Sequence, residues 1–381
     1  MFHRAGVVAL VGATVLAVFA PAQTSSELEK NKGVGDSPDA VPALATDLRA
    51  DLTHEAVRAA MRKVADWQLE RARPYYSTDW TLAAMYDGFM AASETVGDAK
   101  YAQAMHEMGE KLNWQLGPRP EHADDVAVGQ VYLELYLKQK DPQILSPLTE
   151  RFAYQMGLQD DPAKPLWWWC DALFMGPPTL ARLYKATGKT EYLDFMDREW
   201  WITSKLLYDP EEHFYFRDAS YLAKHEANGR KLFWSRGNGW VMGGIARVLN
   251  YMPKNYPERP KYVAQLREMA AAVIKVQGDD GLWRSGLLDA QAYPLPEVSG
   301  SAFIAYALAW GVNEGILDRQ TYSPAAHKAW AGLLAHVYAD GRLGCIQPVG
   351  AAPGQFKASS SYVYGVGAFL LAGSQMDKLH L

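Results

Sequence analysis

The chain has 381 residues, 49% of them hydrophobic, 21% charged and 12% aromatic, with two cysteines and a formal charge of −5. That composition excludes a disordered, collagen-like or disulfide-built protein. Net acidity without a clustered basic surface argues against nucleic acid or an anionic membrane as a partner.

The first signal along the chain concerns export. His3 and Arg4 precede an apolar run from Ala5 to Ala20, and Ala20, Pro21 and Ala22 form the small-residue pattern that signal peptidase cuts. The run is shorter than the ~20 residues that span a bilayer. Residues 1–22 therefore read as a signal peptide cleaved after Ala22, and the mature protein as periplasmic or secreted, with no membrane contact after cleavage. Residues 23–47 are polar and small, without helical or alternating periodicity, and read as a flexible leader into a single domain over 48–381. Export permits a disulfide, but Cys170 and Cys345 lie far apart in sequence and their pairing is left open.

Helical periodicity dominates the rest. Ala56, Ala60, Val64 and Trp67 form one apolar stripe at spacings of three and four. Ser93 to Tyr101 and Tyr184 to Tyr192 both close one helix with a glycine, Gly97 or Gly188, and open the next with a tyrosine. Looser copies of this turn run through Lys138 to Pro142 and Asn250 to Pro253. Six segments rich in Gly, Ala and aromatics stand out: Trp80 to Ala92, Val128 to Leu137, Leu173 to Tyr184, Trp240 to Leu249, Ser301 to Trp310 and Val363 to Ala372. Six hairpins, each with one such helix and one more amphipathic partner, predict an all-α (α/α)6 barrel with the small residues in the tight inner ring. An open helical solenoid is the alternative from pattern alone.

Three segments carry chemistry. His122, Ala123, Asp124 and Asp125 open an inner-ring helix, where a carboxylate either complements the helix dipole or faces a second carboxylate across the barrel mouth. No second histidine lies at helical spacing from His122, so no metal is expected. Further on, Trp167, Trp168 and Trp169 run into Cys170 and Asp171. A carboxylate walled by indoles loses solvent around its charged form and holds a proton near neutral pH, as a general acid must. The bland alternative is that Asp171 accepts backbone hydrogen bonds at the helix start. Phe233 to Trp240 is the most ligand-like segment: Arg236 offers a two-pronged donor for a carboxylate, while Trp234 and Trp240 offer flat faces for a sugar. It lacks the glycine and lysine spacing of a nucleotide loop. Upstream, Arg217 either adds positive charge to the same rim, as Lys231 does, or pairs with Asp218.

Five stretches in this order, ADDVAVGQVYLELY (123–136), WWWCDALFMGPPTLARLYKATG (167–188), FWSRGNGW (233–240), PEVSGSAFIAYALAWGVNEG (296–315) and YVYGVGAFLLAGS (362–374), resemble glycoside hydrolase family 105, the unsaturated rhamnogalacturonyl hydrolases, related to the unsaturated glucuronyl hydrolases of family 88. The resemblance spans Trp80 to Ser374 and implies an (α/α)6 barrel. It implies a hydrolase that removes a 4,5-unsaturated galacturonyl or glucuronyl residue from lyase-generated oligosaccharides by hydrating the C4=C5 bond, with no metal or organic cofactor. By motif, Asp171 matches the general acid/base and Asp124 the second aspartate, Asp125 being the other reading of that pair. Trp234, Arg236 and Trp240 match substrate-contacting positions, and Trp168, His122, Asp125 and Arg217 complete the expected substrate-binding set. In rhamnogalacturonyl members a histidine follows the Phe-Tyr pair, where this chain has Phe216 and then Arg217; this departure opens the identity of the adjoining sugar, and Arg217 is a candidate to bind an anionic group there. The competing functions are a conventional glycosidase on saturated glycosides and a non-catalytic periplasmic oligosaccharide-binding protein.

Overall fold

The computed structural model describes residues 33–158, 161 and 165–379; the expected signal peptide lies outside the described residues. Among the described residues, twelve helices of two turns or more alternate between two layers. The outer ones are α1 (His54–Ala72), α3 (Lys100–Lys111), α5 (Pro142–Met156), α7 (Glu191–Leu207), α9 (Arg259–Val273) and α11 (Arg319–Leu334). The inner ones are α2 (Trp80–Val96), α4 (Gly129–Gln139), α6 (Pro177–Thr187), α8 (Ser235–Tyr251), α10 (Val298–Asn313) and α12 (Val363–Met376). Each inner helix packs on the next, α2 on α4, α4 on α6, and so on through α12 back to α2. This is the expected (α/α)6 barrel, and closure of the ring rules out the open solenoid.

Burial follows the layer. Helices α8, α10 and α12 are buried nearly all round, whereas α1 buries one stripe that includes Ala56, Ala60 and Val64 and leaves its other face to water. The inner ring closes through glycines. A Cβ on Gly88 of α2 would lie 2.7 Å from the Cα of Gly367 on α12, so these helices meet backbone to backbone.

The turns behave as their composition predicts. Gly97 and Gly188 end α2 and α6 with φ of 73° and 75°, and Lys140 takes the same left-handed role at 61° in the looser copy. Two expectations need correction. The third inner segment is not one helix: a single turn, Ala172–Met175, ends at Gly176 before α6 restarts at Pro177, whose ring supplies no N–H to continue the ladder. The leader is also not flexible throughout. Gly35 and Asp36 pair antiparallel with Tyr362 and Ser361, and Ala45 N–H donates to the Val337 carbonyl at 2.8 Å, so from Gly35 onward it is tied to the C-terminal part of the barrel.

Candidate active site

All six inner helices begin at the same end of the barrel. There Trp80, the first residue of α2, stacks on Tyr364 of α12 at 5.5 Å and meets Trp240 of α8 edge-on at 6.1 Å. Asp171 sits at the start of the single turn Ala172–Met175, and its side chain caps no backbone N–H. The bland reading of this residue is thereby removed. Its neighbours are Cys170 Sγ, 3.6 Å from Oδ1, and Arg217 Nε, 3.8 Å from Oδ2. Gly237 backs onto the pair so closely that a Cβ there would lie 3.0 Å from Cys170 Sγ and 3.5 Å from Asp171 Oδ1. Burial pushes the Asp171 carboxyl above the ordinary range, with Arg217 and then Arg236 pulling the other way.

The segment before α4 supplies the second carboxyl. Asp124 is pushed up to about 7, first by burial; Arg119 opposes this, and the charge of Asp171 adds to it. The coupling places both aspartates in one electrostatic site. His122 Nδ1 lies 3.4 Å from Asp124 Oδ2 and accepts the Asp124 backbone N–H at 3.3 Å. That acceptor role leaves Nε2 as the protonated nitrogen. Burial, and then Arg119, hold the His122 ring below its usual pKa, so it is neutral at neutral pH. The ring packs 4.4 Å from that of Trp169.

Asp125 takes a different part. Its carboxylate accepts from the Arg119 backbone N–H at 2.7 Å, from Nε at 2.8 Å and from Nη2 at 3.2 Å, anchoring the 117–119 loop. Contrary to the substrate contact expected of it, its oxygens are engaged by Arg119, whereas the Asp124 carboxyl has Arg119 Nη2 at 3.6 Å and His122 Nδ1 at 3.4 Å.

The Phe233 to Trp240 segment also departs from expectation. Arg236 is fully buried, sandwiched between Trp234 at 4.4 Å and Tyr364 at 4.8 Å. Its Nη1 donates to the Gln347 carbonyl at 2.6 Å and its Nη2 to that of Pro348 at 2.8 Å. Trp234 donates its Nε1–H to Gln347 Oε1 at 2.9 Å, and Trp240 lies in the core against Phe303 and Phe174 at 4.1 and 4.7 Å. All three are buried, and the one unbonded donor, Arg236 Nε, is enclosed with them; Trp234 and Arg236 hold the 346–348 loop in place.

Arg217 lies beside Asp171, and Trp168 beside Arg217. Trp168 is 45% exposed, Arg217 lies 5.3 Å from its ring centroid, and Arg217 Nη1 donates to Asp218 at 2.7 Å. Arg217 thus pairs with Asp218 and faces Asp171 at once. Lys231 is held by Asp209 and Glu211 at 2.7 and 2.9 Å. Sequence reasoning missed Trp80, a half-buried aromatic at the first position of an inner helix, as well as Arg119 and Gln347. Trp80 was legible in principle, because its neighbour Asp79 is a standard N-cap residue whose side chain accepts from Thr81 N–H. Cys170 and Cys345 are both free and buried. Among the described residues no group of three or more His, Cys, Asp and Glu side chains converges as a metal ion requires.

Comparison with known proteins agrees with this geometry. The profile of Glycosyl Hydrolase Family 88 matches residues 52–380. A protein of Formosa agariphila named unsaturated 3S-rhamnoglycuronyl hydrolase is 41% identical over 350 residues, which cover 86% of this chain and 92% of that one. One of the same name from Alteromonas sp. (strain LOR) is 31% identical over 368 residues, covering 87% and 89%. The structure of a family 88 glycosyl hydrolase from Bacteroides vulgatus superposes with a TM-score of 0.82 at 31% identity, covering 86% of this chain and all of that one. The chain belongs to Glycosyl Hydrolase Family 88.

Proposed function

We propose that this glycoside hydrolase removes a 4,5-unsaturated uronic acid from the non-reducing end of lyase-generated oligosaccharides, with Asp171 as acid and base. The observation that carries the assignment is Asp171 itself: a desolvated carboxyl with no capping duty, at the floor of the barrel mouth, with a second high-pKa carboxyl beside it.

The chemistry follows from one proton in transit. Asp171 gives its proton to C4, the double-bond electrons form the C4–H bond, and C5 becomes an oxocarbenium ion with the ring oxygen. Water adds to C5 and returns a proton to Asp171. The resulting hemiketal opens to a ketone at C5, and the hemiacetal left at C1 expels the aglycone. Asp124, held largely protonated below pH 7, and the neutral His122 with its Nε2–H orient the water.

Within the family, the ordered motifs favour the branch formed by family 105. The names of the 41% and 31% identical relatives favour a rhamnose as the adjoining sugar. The apolar run of residues 5–20 favours a reaction outside the cytoplasm. The test is loss of the ultraviolet absorbance of the conjugated double bond, followed on a panel of lyase-generated disaccharides with wild type and Asp171→Asn. Bleaching by wild type, with a ~10²–10⁴-fold slower variant of unchanged fold, is expected. Cleavage of saturated glycosides without bleaching establishes ordinary glycoside hydrolysis instead.

A further inference from the structure

The cations around Asp171 are not equally available. Arg236 is fully buried between Trp234 and Tyr364, its Nη1 and Nη2 bonded to two carbonyls and its Nε unbonded but enclosed; Arg119 is bonded to Asp125, and Lys231 to Asp209 and Glu211. Arg217 differs in that its side chain is 20% exposed. One nitrogen, Nη1, is held by Asp218, whereas Nε is buried without a hydrogen-bond acceptor, its nearest carboxylate being that of Asp171 at 3.8 Å, too long for a bond. Its guanidinium lies over the exposed ring of Trp168.

The backbone fixes this arrangement. Cys170 N–H donates to the Arg217 carbonyl at 2.8 Å, and Trp169 bridges to Asp218, so the chain carrying Arg217 is paired with the chain carrying Asp171. A guanidinium tethered on one side, supported on an indole and left with unused donor capacity is pre-organised to accept an oxyanion with little ordering cost.

We infer that Arg217, supported by Trp168 and Asp218, is the receptor for an oxyanion of the substrate, either the uronyl carboxylate or a sulfate ester on the adjoining sugar. The inference rests on the function proposed above. The carboxylate carbon is two bonds from the carbon that Asp171 protonates and a sulfate on the adjoining sugar lies across the glycosidic bond from it, while Arg217 Nε is 3.8 Å from Asp171 Oδ2.

The experiment compares wild type, Arg217→Gln and Arg217→Lys on three unsaturated disaccharides: one with a sulfate on the second sugar, its desulfated form, and the desulfated methyl ester. Loss of a charge-assisted contact raises KM about ten- to hundred-fold in Arg217→Gln, and Arg217→Lys recovers part of it. A rise confined to the sulfated substrate assigns the sulfate; a rise on both acids that vanishes on the ester assigns the carboxylate. KM within twofold of wild type on all three, with kcat reduced, overturns the inference and leaves Arg217 acting on Asp171 alone. Calorimetric Kd values of the same disaccharides for Asp171→Asn, with and without Arg217→Gln, give the same comparison with no turnover. The receptor is therefore tested even if wild type bleaches nothing, and equal Kd values overturn it.

Discussion

Arg236 Nη1 donates to the carbonyl of Gln347 at 2.6 Å, and the same carbonyl accepts the Tyr364 hydroxyl at 2.5 Å. Gln347 is tied further by its side chain, which accepts from Trp234 Nε1 and Ser285 Oγ, and by its backbone N–H, which donates to the fully buried Glu297. The guanidinium thus closes a hydrogen-bonded knot that joins the starts of α8, α10 and α12.

Removing it should read out as stability first. Arg236→Met leaves the Gln347 and Pro348 carbonyls without their charged donor, at about 1.5–3 kcal/mol for each such bond lost. Urea unfolding should show a lower midpoint with an unchanged slope. A variant as stable as wild type but with a raised KM would return Arg236 to the substrate.

This residue marks the boundary of what one sequence discloses. Texture alone located the six inner helices, because a ring of helices meeting at Gly88 and Gly367 must be built from small residues. The desolvation of Asp171 was legible from the indoles before it. The roles of Arg236 and Trp240 were not, since the first turn of an inner helix has one face toward the mouth and one toward the core, and spacing does not say which is which. The same holds for Asp124 and Asp125, adjacent in a short 3-10 turn, where only the position of Arg119 separates them. The pairing of Gly35 with Tyr362 joins segments more than 300 residues apart, beyond the reach of local pattern.

Asp124 should give the protein a pH-dependent stability. Its folded carboxyl titrates at about 7 against an ordinary 3.8, mainly because burial disfavours the charge. Between those values the folded state binds more protons than the unfolded one, so this contribution is fully present below pH ~4 and is lost as pH rises through about 7. Asp124→Asn stays neutral throughout. Its stability relative to wild type should therefore improve across that window, by a few kcal/mol at most, less what the ion pair with Arg119 supplies. Denaturant midpoints at pH 4 and pH 8 measure it; a gap that does not change with pH refutes the assignment.

Gly88→Ala tests how tightly the ring is closed. The new methyl would meet both Cα and carbonyl oxygen of Gly367 at 2.7 Å, and backbone cannot swing aside as a side chain can. Overpacking of this kind costs about 1–3 kcal/mol, which should outweigh the ~1 kcal/mol gained in helix propensity. Gly97→Ala is the control: it has nothing within 4 Å and pays only for its φ of +73°. Thermal melts should rank Gly88→Ala by whether α2 and α12 can separate, and a melting temperature equal to wild type would mean that they do so freely.

The end of the barrel away from Asp171 holds a cavity of about 380 Å³ whose lining includes Asp87, Glu134, Arg182 and Arg247. Arg247 Nη2 lies 2.8 Å from Asp87 Oδ1 and 3.3 Å from Glu134 Oε1, while Arg182 Nη2 is 2.7 Å from Glu134 Oε1, so two arginines bridge two carboxylates across four inner helices. Burial raises the Asp87 carboxyl and Arg247 opposes the rise, which means that the pair's attraction does not fully offset its desolvation. Arg247→Leu should then destabilise the fold by about 3–5 kcal/mol, because it leaves a buried carboxylate without its cation. Asp87→Leu combined with Arg247→Leu should recover much of that loss, since Glu134 keeps Arg182 and no unpaired charge remains at Asp87. A double-mutant cycle from urea unfolding checks the coupling. Additive losses would show that Asp87 and Arg247 act on the fold independently, through packing alone.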